Sequence, residues 1–371
     1  MTIDIDITVT ERYSEGARER QEALCCPVDY DSDLLSMLPR EIIERDYGCG
    51  DPSRYVQPGD VVLDLGAGGG KICYMAARLT GTAGEVIGVD MNDDMLALAR
   101  KYQAEMAARL GGDRVRFVKG YIQDLALDIG ALDQYLAANP VRQAADYTAL
   151  KAWEQRQRRE APLIADNSID LVISNCVLNL VADSEKQQLV QEIFRVLKPG
   201  GRIAISDIVS NRAVPQSMKQ DPDLWSGCIS GAFEEGEFAS TFAAAGFSGV
   251  CYDKWDPQPW RVIDGITFRS VTLTAVKPAT PAVHTEDKIV MYRGPFAAVI
   301  DEGGRCFARG RHEQVSAGTR ELLLNDAYGN AFIDLSDGMA AGTTTACCGT
   351  AQPATPAEPG QRAKTHDGCC D

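Results

Sequence analysis

Residues 60–71 read DVVLDLGAGGGK. An apolar strand, 60–65, runs into the glycine cluster GAGGG (66–70) and then into a helical pattern, KICYMAARL (71–79). Strand, glycine turn and helix open a doubly wound parallel sheet, and glycines there let the backbone pass close under a ligand. The spacing narrows the ligand. A dinucleotide fingerprint, Gly-x-Gly-x-x-Gly, would put its last glycine at position 71, where Lys71 stands. The pattern is acid-x-Gly-x-Gly-x-Gly instead, from Asp64, Gly66, Gly68 and Gly70. A pyrophosphate would be drawn to the helix N-terminus, as in the competing NAD-binding reading. An uncharged ribose ligand needs a carboxylate near the loop and another after the next strand. EVIGVD (85–90) supplies the second as Asp90, whose side chain suits both ribose hydroxyls.

The rhythm continues outward. A helical pattern over 93–109 precedes the strand VRFVKG (115–120). A strand at 168–174, a helix at 184–197, the turn KPGG (198–201) and the strand RIAISDI (202–208) follow. A helix at 234–245 and strands at 249–255 and 266–276 close an α/β, Rossmann-like, doubly wound domain over 1–276. The rhythm breaks at 126–162, where Asn139-Pro140 separates two helical patterns. This reads as a surface insertion, decoration rather than a lid. KPATPAVHTED (277–287) is a linker by composition. A small C-terminal α+β domain over 288–335 has a hairpin turning at Gly303-Gly304 and a helix at 316–326 capped by Ser316. Beyond it, 336–371 carries one large apolar residue, Met339, too little to offset the entropy of ordering, so a disordered tail is expected.

A formal charge of −16 over 371 residues argues against a nucleic-acid or anionic-membrane surface. The basic run KAWEQRQRRE (151–160) is interrupted by Glu154 and Glu160 and reads as a solvated helix face. The acidic N-terminus lacks the basic start and apolar core of a signal peptide, and no run of 18 apolar residues occurs. A cytoplasmic protein is expected, with its twelve cysteines mostly thiols.

Three of those thiols fall at informative places. In an open α/β sheet the ligand lies outside the carboxyl ends of the strands. Cys176, in SNCVLNLV (174–181), follows the strand NSIDLVI at that edge. Cys228, in LWSGCISGAF, lies in the long loop after the fifth strand, over the same edge. Cys49, in RDYGCGDP, lies in the segment feeding the first strand. No C-x-x-C occurs, which disfavours a zinc ribbon. Each cysteine also has a packing reading, assigned here to Cys73, Cys251 and Cys306.

The glycine loop, Asp90 and the SNC segment, in that order, resemble the class I S-adenosylmethionine-dependent methyltransferases. At the cysteines the chain resembles one family of that class, the arsenite S-adenosylmethionine methyltransferases. The resemblance runs through YGCGDP, VLDLGAGGG, GYIQDL, SNCVLNLV, LKPGG, LWSGCISGA and FRSVTLTAVK, weakly through VMYRGPF, and ends at CCGT. It covers nearly the whole chain apart from the insertion. It implies that Cys49, Cys176 and Cys228 bind trivalent arsenic, arsenite or methylarsenite. It implies a redox cysteine nearer the N-terminus, at Cys25 or Cys26, and adenine contacts at GYI plus an acid. Ile122 fits that pattern, whereas Gln123 stands in the acid's place. Met91, beside Asp90, belongs to the same cofactor surface.

The chemistry is consistent with those residue types. Arsenic(III) is soft, and thiolate ligands select it over hard cations. Three thiols replacing three hydroxyls leave a pyramidal As(SR)₃ whose lone pair can face a sulfonium methyl. Arsenic carries no proton to remove, so no general base is needed; the three histidines, 284, 312 and 366, lie outside the catalytic core. Methylation oxidises arsenic by two electrons, which calls for a dithiol. Cys25 or Cys26 with Cys49 is the expected pair, re-reduced by thioredoxin or glutathione. The tail pairs Cys347-Cys348 and Cys369-Cys370 either collect arsenite or are incidental. Tyr47 either covers the sulfonium with its ring or packs. Asn175 either holds the cofactor or caps the turn, with the resemblance favouring the former. Trp225 either excludes water or anchors the Cys228 loop. Asp207 is structural or orients that loop. Two other functions fit the same residues: methylation of an organic acceptor with structural cysteines, and metalloid sequestration without catalysis.

Overall fold

The computed structural model describes residues 5–21, 28–279, 288–301, 304–325 and 328–336. Cys25, Cys26, the linker from 280 to 287, Gly303 and the tail from 337 onward, with its two cysteine pairs, lie outside the described residues. The chain opens with α1 (Ile5–Arg18), α2 (Ser32–Ser36) and α3 (Arg40–Glu44). Then come β1 (Val61–Leu65), α4 (Lys71–Thr80), β2 (Glu85–Asp90), α5 (Asp93–Lys101), α6 (Gln103–Leu110) and β3 (Val115–Lys119). The insertion is α7 (Ile129–Ala138) and α8 (Ala144–Glu160). The alternation resumes with β4 (Ile169–Asn175), α9 (Lys186–Val196), β5 (Leu197–Ser210), α10 (Gln216–Lys219) and α11 (Pro222–Ser226). Last come β6 (Phe233–Glu234), α12 (Glu235–Ala244), β7 (Ser248–Trp255), β8 (Arg261–Ile263) and β9 (Ile266–Val276).

The sheet runs β3-β2-β1-β4-β5-β9-β7. It is parallel from β3 to β5, and β9 is antiparallel to both neighbours. Strand order reverses between β1 and β4, so a crevice opens at their carboxyl ends. Period-two alternation sorts β1 between two cores. Leu63 and Leu65 face the α9 and α12 side, with Leu189, Ile193, Phe238 and Phe242. Val62 faces the other side, with Ile72, Cys73, Leu96 and Met106 of α4, α5 and α6. Asp64 shares the parity of Val62 and so turns toward α4.

Three details differ from the sequence reading. The helix expected over 93–109 is two, broken at Tyr102 (φ −102°, ψ 1°). The KPGG turn lies within β5 as an irregularity: pairing jumps from Ile169–Leu197 to Leu171–Arg202. And α1 was not anticipated, because IDIDITV alternates apolar and polar residues as a strand does.

Downstream, β10 (Lys288–Tyr292) pairs with both β13 (His312–Val315) and β14 (Phe332–Asp334). β11 (Ala298–Ile300) and β12 (Cys306–Ala308) form the expected hairpin. Val290, Tyr292, Phe307, Leu323 and Phe332 make a separate small core. Ser316 caps α13 (Ala317–Leu323), its Oγ accepting from Thr319 N at 3.1 Å.

Candidate active site

The glycine loop is bound to the end of β2. Gly66 N and Ala67 N donate to Val89 O at 2.8 and 3.0 Å. Asp90 accepts from Gly68 N through one oxygen and from Asn92 N through the other, both at 2.8 Å. Burial raises the Asp90 carboxyl, and those two N–H groups oppose the shift. Gly66 has φ +71°, and a Cβ there would stand 2.5 Å from Val177. Above this loop opens a solvent-connected cleft. Tyr47, Gly66, Gly68, Asp90, Met91, Ile122, Gln123 and Asn175 all line it, as do Cys176 and Cys228.

Two expected cofactor residues do not line the cleft. Gly70 (φ +87°) caps α4, and a Cβ there would meet the Phe117 ring. Asp64 is 2% exposed and accepts from Cys73 Sγ at 3.2 Å, as its parity on β1 dictates. Burial pushes its pKa up to about 8. The carboxylate that does reach the loop is Asp46. It accepts from Lys71 N at 3.0 Å, lies 3.6 Å from Lys71 Nζ, and lines the cleft beside Gly68. Lys71 is itself buried, 4.7 Å from the Tyr30 ring centre. Sequence alone did not single out Asp46; its place immediately before Tyr47-Gly48-Cys49 was the available signal.

Two of the sulfurs meet at Cys176, which lines the cleft; Cys49 is buried beside it and does not line the cleft. The sulfurs of Cys49 and Cys176 and a carboxylate oxygen of Asp207 lie within 4.8 Å of one another. Asn175 sets this up. Its Oδ1 accepts from Cys49 N (2.9 Å) and Gly50 N (3.0 Å), and its Nδ2 donates to Gly50 O (2.9 Å) and Tyr30 OH (3.2 Å). The amide is therefore occupied as a clamp on the Cys49 loop, a role the sequence reading did not assign. The flanking glycines make that approach possible. A Cβ on Gly48 would collide with the Asn175 amide, and one on Gly50 would stand 2.5 Å from Ser206 Cβ.

Cys228 Sγ sits across the Cys176 carbonyl, donating to it at 3.0 Å, and lies 3.8 Å from Tyr13 OH. It is adjacent to the close group without belonging to it. Burial raises the Tyr13 phenol well above its usual range, with smaller contributions from Cys228 and Cys176. Cys176 and Cys228 both have positive φ, +64° and +61°. For a residue with a Cβ this costs on the order of 1–2 kcal/mol, and such outliers concentrate at functional sites.

Asp207 stands behind the sulfurs, 1% exposed. It accepts from Leu178 N (3.0 Å), Asn179 Nδ2 (2.8 Å) and Ile208 N (2.8 Å), and burial raises its pKa to about 7. The Asn179 amide also reaches Cys228 O at 3.4 Å, which links Asp207 to the Cys228 loop as one of the two expected readings held. Trp225 is buried, its Nε1 donating to Leu180 O at 3.2 Å, so it anchors that loop. Cys73 packs under Asp64 as expected, whereas Cys251 and Cys306, also assigned to packing, are exposed on their strands.

A roof and a side wall complete the cleft, and the sequence had announced neither. Asp6, Val9, Thr10 and Tyr13 of α1 line it from above, and Trp260 also contributes. The insertion holds the wall. Arg158 of α8 donates to Asp124 at 2.8 and 3.0 Å, next to the lining residues Tyr121, Ile122 and Gln123.

Sheet order, glycine loop, Asp90 and cleft together define a class I methyltransferase domain. A methyltransferase-domain family model matches residues 57–146 and 142–246, and a model for a domain of unknown function matches 280–365. The arsenite methyltransferase of Aquipseudomonas alcaligenes is 32% identical over 324 residues, 82% of this chain and 81% of that one. The human arsenite methyltransferase is 28% identical over 313 residues, 81% of this chain and 74% of that one. The crystal structure of an arsenic(III) S-adenosylmethionine methyltransferase from Chlamydomonas reinhardtii superposes with a TM-score of 0.56 at 26% identity, covering 83% of this chain and 96% of that one. The chain belongs to the arsenite methyltransferase family of S-adenosylmethionine-dependent enzymes. No helix among the described residues is long and apolar enough to cross a membrane.

Proposed function

We propose that the chain moves a methyl group from S-adenosylmethionine to trivalent arsenic held by Cys49, Cys176 and Cys228. One observation carries this: thiols from three distant segments lie together, Cys176 and Cys228 lining the cleft that Asp90 and the glycine loop open and Cys49 buried beside Cys176. Bound S-adenosylmethionine supplies an electrophilic methyl on a sulfonium sulfur. The cleft suits it. Asp90 offers a carboxylate to the ribose, Gly66 and Gly68 leave room a Cβ would fill, and Met91, Met95 and Ile122 give an apolar wall. Asp46 adds a second carboxylate beside Gly68, in the place expected of Asp64.

The chain's own part is capture and alignment. Three S–As bonds form, three hydroxyls leave as water, and no proton needs removing from arsenic. Cys49 and Cys176 wait as a pair, and Cys228 completes the set by swinging its sulfur off the Cys176 carbonyl. Holding arsenic and methyl at about 3–3.5 Å in line is worth roughly 7–11 kcal/mol of barrier. The new As–C bond takes arsenic's electron pair. Two thiols return a pair by forming a disulfide and releasing two protons. We assign them to Cys49 and either Cys25 or Cys26, with thioredoxin or glutathione as reductant in the cytoplasm.

The test is incubation with S-adenosylmethionine, arsenite and thiol, with products resolved by mass spectrometry. Methylated arsenic is expected. Cys49→Ser, Cys176→Ser and Cys228→Ser should each lower its yield by about 100-fold or more while leaving cofactor binding intact. Methylation of an organic acceptor at an unchanged rate in Cys228→Ser, without arsenic products, overturns the reading. A Cys25→Ser/Cys26→Ser double variant should stall after one turnover; sustained turnover removes the relay.

A further inference from the structure

The group that the fold gathers most closely is not the three sulfurs but Cys49, Cys176 and Asp207. We infer that these three side chains form a binding site for a borderline divalent cation of the zinc and cadmium class. Two sulfurs and one oxygen already within 4.8 Å of one another would close to about 3.5–3.8 Å, the ligand separation around a tetrahedral cation with bonds of about 2.0–2.3 Å. The donor set points the same way. Trivalent arsenic is satisfied by sulfur, whereas a carboxylate beside thiolates suits a borderline cation better. The supporting shell is in place as well. Leu178 N, Asn179 Nδ2 and Ile208 N fix the plane of the Asp207 carboxylate, and the Asn175 amide fixes the Cys49 backbone. Hydrogen bonds of this kind orient metal ligands and typically change affinity by about 10–100-fold when lost. Cys176 lines the solvent-connected cleft, and Cys49 and Asp207 are buried against it, so a cation would enter past Cys176.

Binding forms two S–metal bonds and one O–metal bond and releases the two thiol protons to solvent. No electrons move, and Cys228 is not required. That separates this site from the arsenic site of the proposed function, which needs the third sulfur. The two ligands share two sulfurs and exclude one another.

The experiment is titration of the reduced, full-length protein with Cd²⁺, followed by the near-ultraviolet thiolate-to-cadmium absorption. The variants are Cys49→Ser, Cys176→Ser, Asp207→Asn and Cys228→Ser. The expected result is loss of the tightest equivalent in the first two, at least about tenfold weaker binding in Asp207→Asn, and no change in Cys228→Ser. The cysteines outside this cluster are common to these variants, Cys228 apart, so the reading is the difference between variants and not the total capacity. Cadmium-edge X-ray absorption of the wild-type protein at one equivalent tests the ligand set without any variant. Two sulfur neighbours plus oxygen support the site, and three sulfurs overturn it. Identical isotherms for wild type and Asp207→Asn also overturn it. None of these measurements needs S-adenosylmethionine, and arsenic enters only in a final displacement step. If arsenite fails to displace bound Cd²⁺, the arsenic reading falls at these sulfurs and the cation site stands.

Discussion

The floor and the roof of the cleft are built differently. The floor is loop backbone bound at the strand ends. Gly66, Ala67 and Gly68 are tied to Val89 and Asp90 across adjacent parallel strands, and the Cys49 loop is pinned by three hydrogen bonds of one amide, Asn175. The roof, α1, is held by side chains reaching across the chain. Arg12 donates to Ser226 Oγ at 2.9 Å, Arg18 pairs with Asp94 at 2.9 Å, and Asn92 Nδ2 donates to Thr10 O and Ser14 Oγ at 3.0 Å. Tyr47 OH donates to Gly16 O at 3.1 Å. Only Gly16 and Ala17 of α1 are buried. An element with so little buried apolar surface sits at the low end of local stability, where opening is inexpensive. The floor therefore fixes the reacting groups, and the roof is the part that can lift to admit a ligand.

The sharpest way to break this contrast is at the clamp. Asn175→Ala leaves Cys49 N, Gly50 N and Gly50 O without their partner in a buried place. Each such group costs about 1–3 kcal/mol, so a loss of at least about 3 kcal/mol is expected in denaturant unfolding. Arsenite methylation should fall far more than cofactor affinity, because Cys49 loses its place while Asp90 keeps its own. A variant with unchanged methylation would mean that the Cys49 loop holds itself. Next comes Gly66→Ala. The left-handed φ alone costs about 1–2 kcal/mol, and the added Cβ must also displace Val177. Here cofactor affinity should fall first, read by calorimetry; loss of methylation at normal affinity would contradict the assignment of this loop to the cofactor.

How much of this was legible follows the same division. The floor was readable because its signals are local. Glycine spacing, an acid at the end of the second strand and a cysteine one residue past the fourth are each written in a few consecutive residues. The acid-x-Gly motif put Asp64 with the cofactor, whereas the strand periodicity through Val62-Leu63-Asp64 turns its carboxylate toward Cys73 and away from the cleft. The roof was not readable. IDIDITV has the alternation of a strand, whereas the structure makes it a helix packed on α5 and α11. Asn175 and Asp207 fell between. Their positions at strand ends were visible, but their partners, Cys49 and Leu178, depend on which loops fold over that edge.

Asp64 offers a pH test of the layer beneath the floor. Its folded pKa is raised to about 8 by burial, while the unfolded carboxyl ionises near 4. The folded state thus keeps a proton that the unfolded state has lost. Wild-type stability should decline as pH rises from about 4 toward 8, through this group. Asp64→Asn keeps an acceptor for Cys73 and cannot ionise. Its stability relative to wild type should therefore grow over that window, measured by urea unfolding at its two ends. A constant difference would mean that Asp64 titrates normally and that water reaches it.

The smallest effect belongs to the roof. Arg18 and Asp94 are exposed, with side chains 70% and 41% accessible, and such a pair contributes at most about 1 kcal/mol. Arg18→Ala should accordingly leave the global unfolding free energy within about 0.5 kcal/mol of wild type. Its signature should be local instead. Amide exchange over 5–18 should quicken several-fold while the strands keep their protection, and the Michaelis constant for S-adenosylmethionine should move more than the turnover number. This asymmetry is what a hinged cover requires, since loosening it changes how often the cleft is open without moving any group on the floor. If exchange in β1 and β4 quickened together with α1, the helix would be a structural layer of the core, and the contrast between floor and roof would fail.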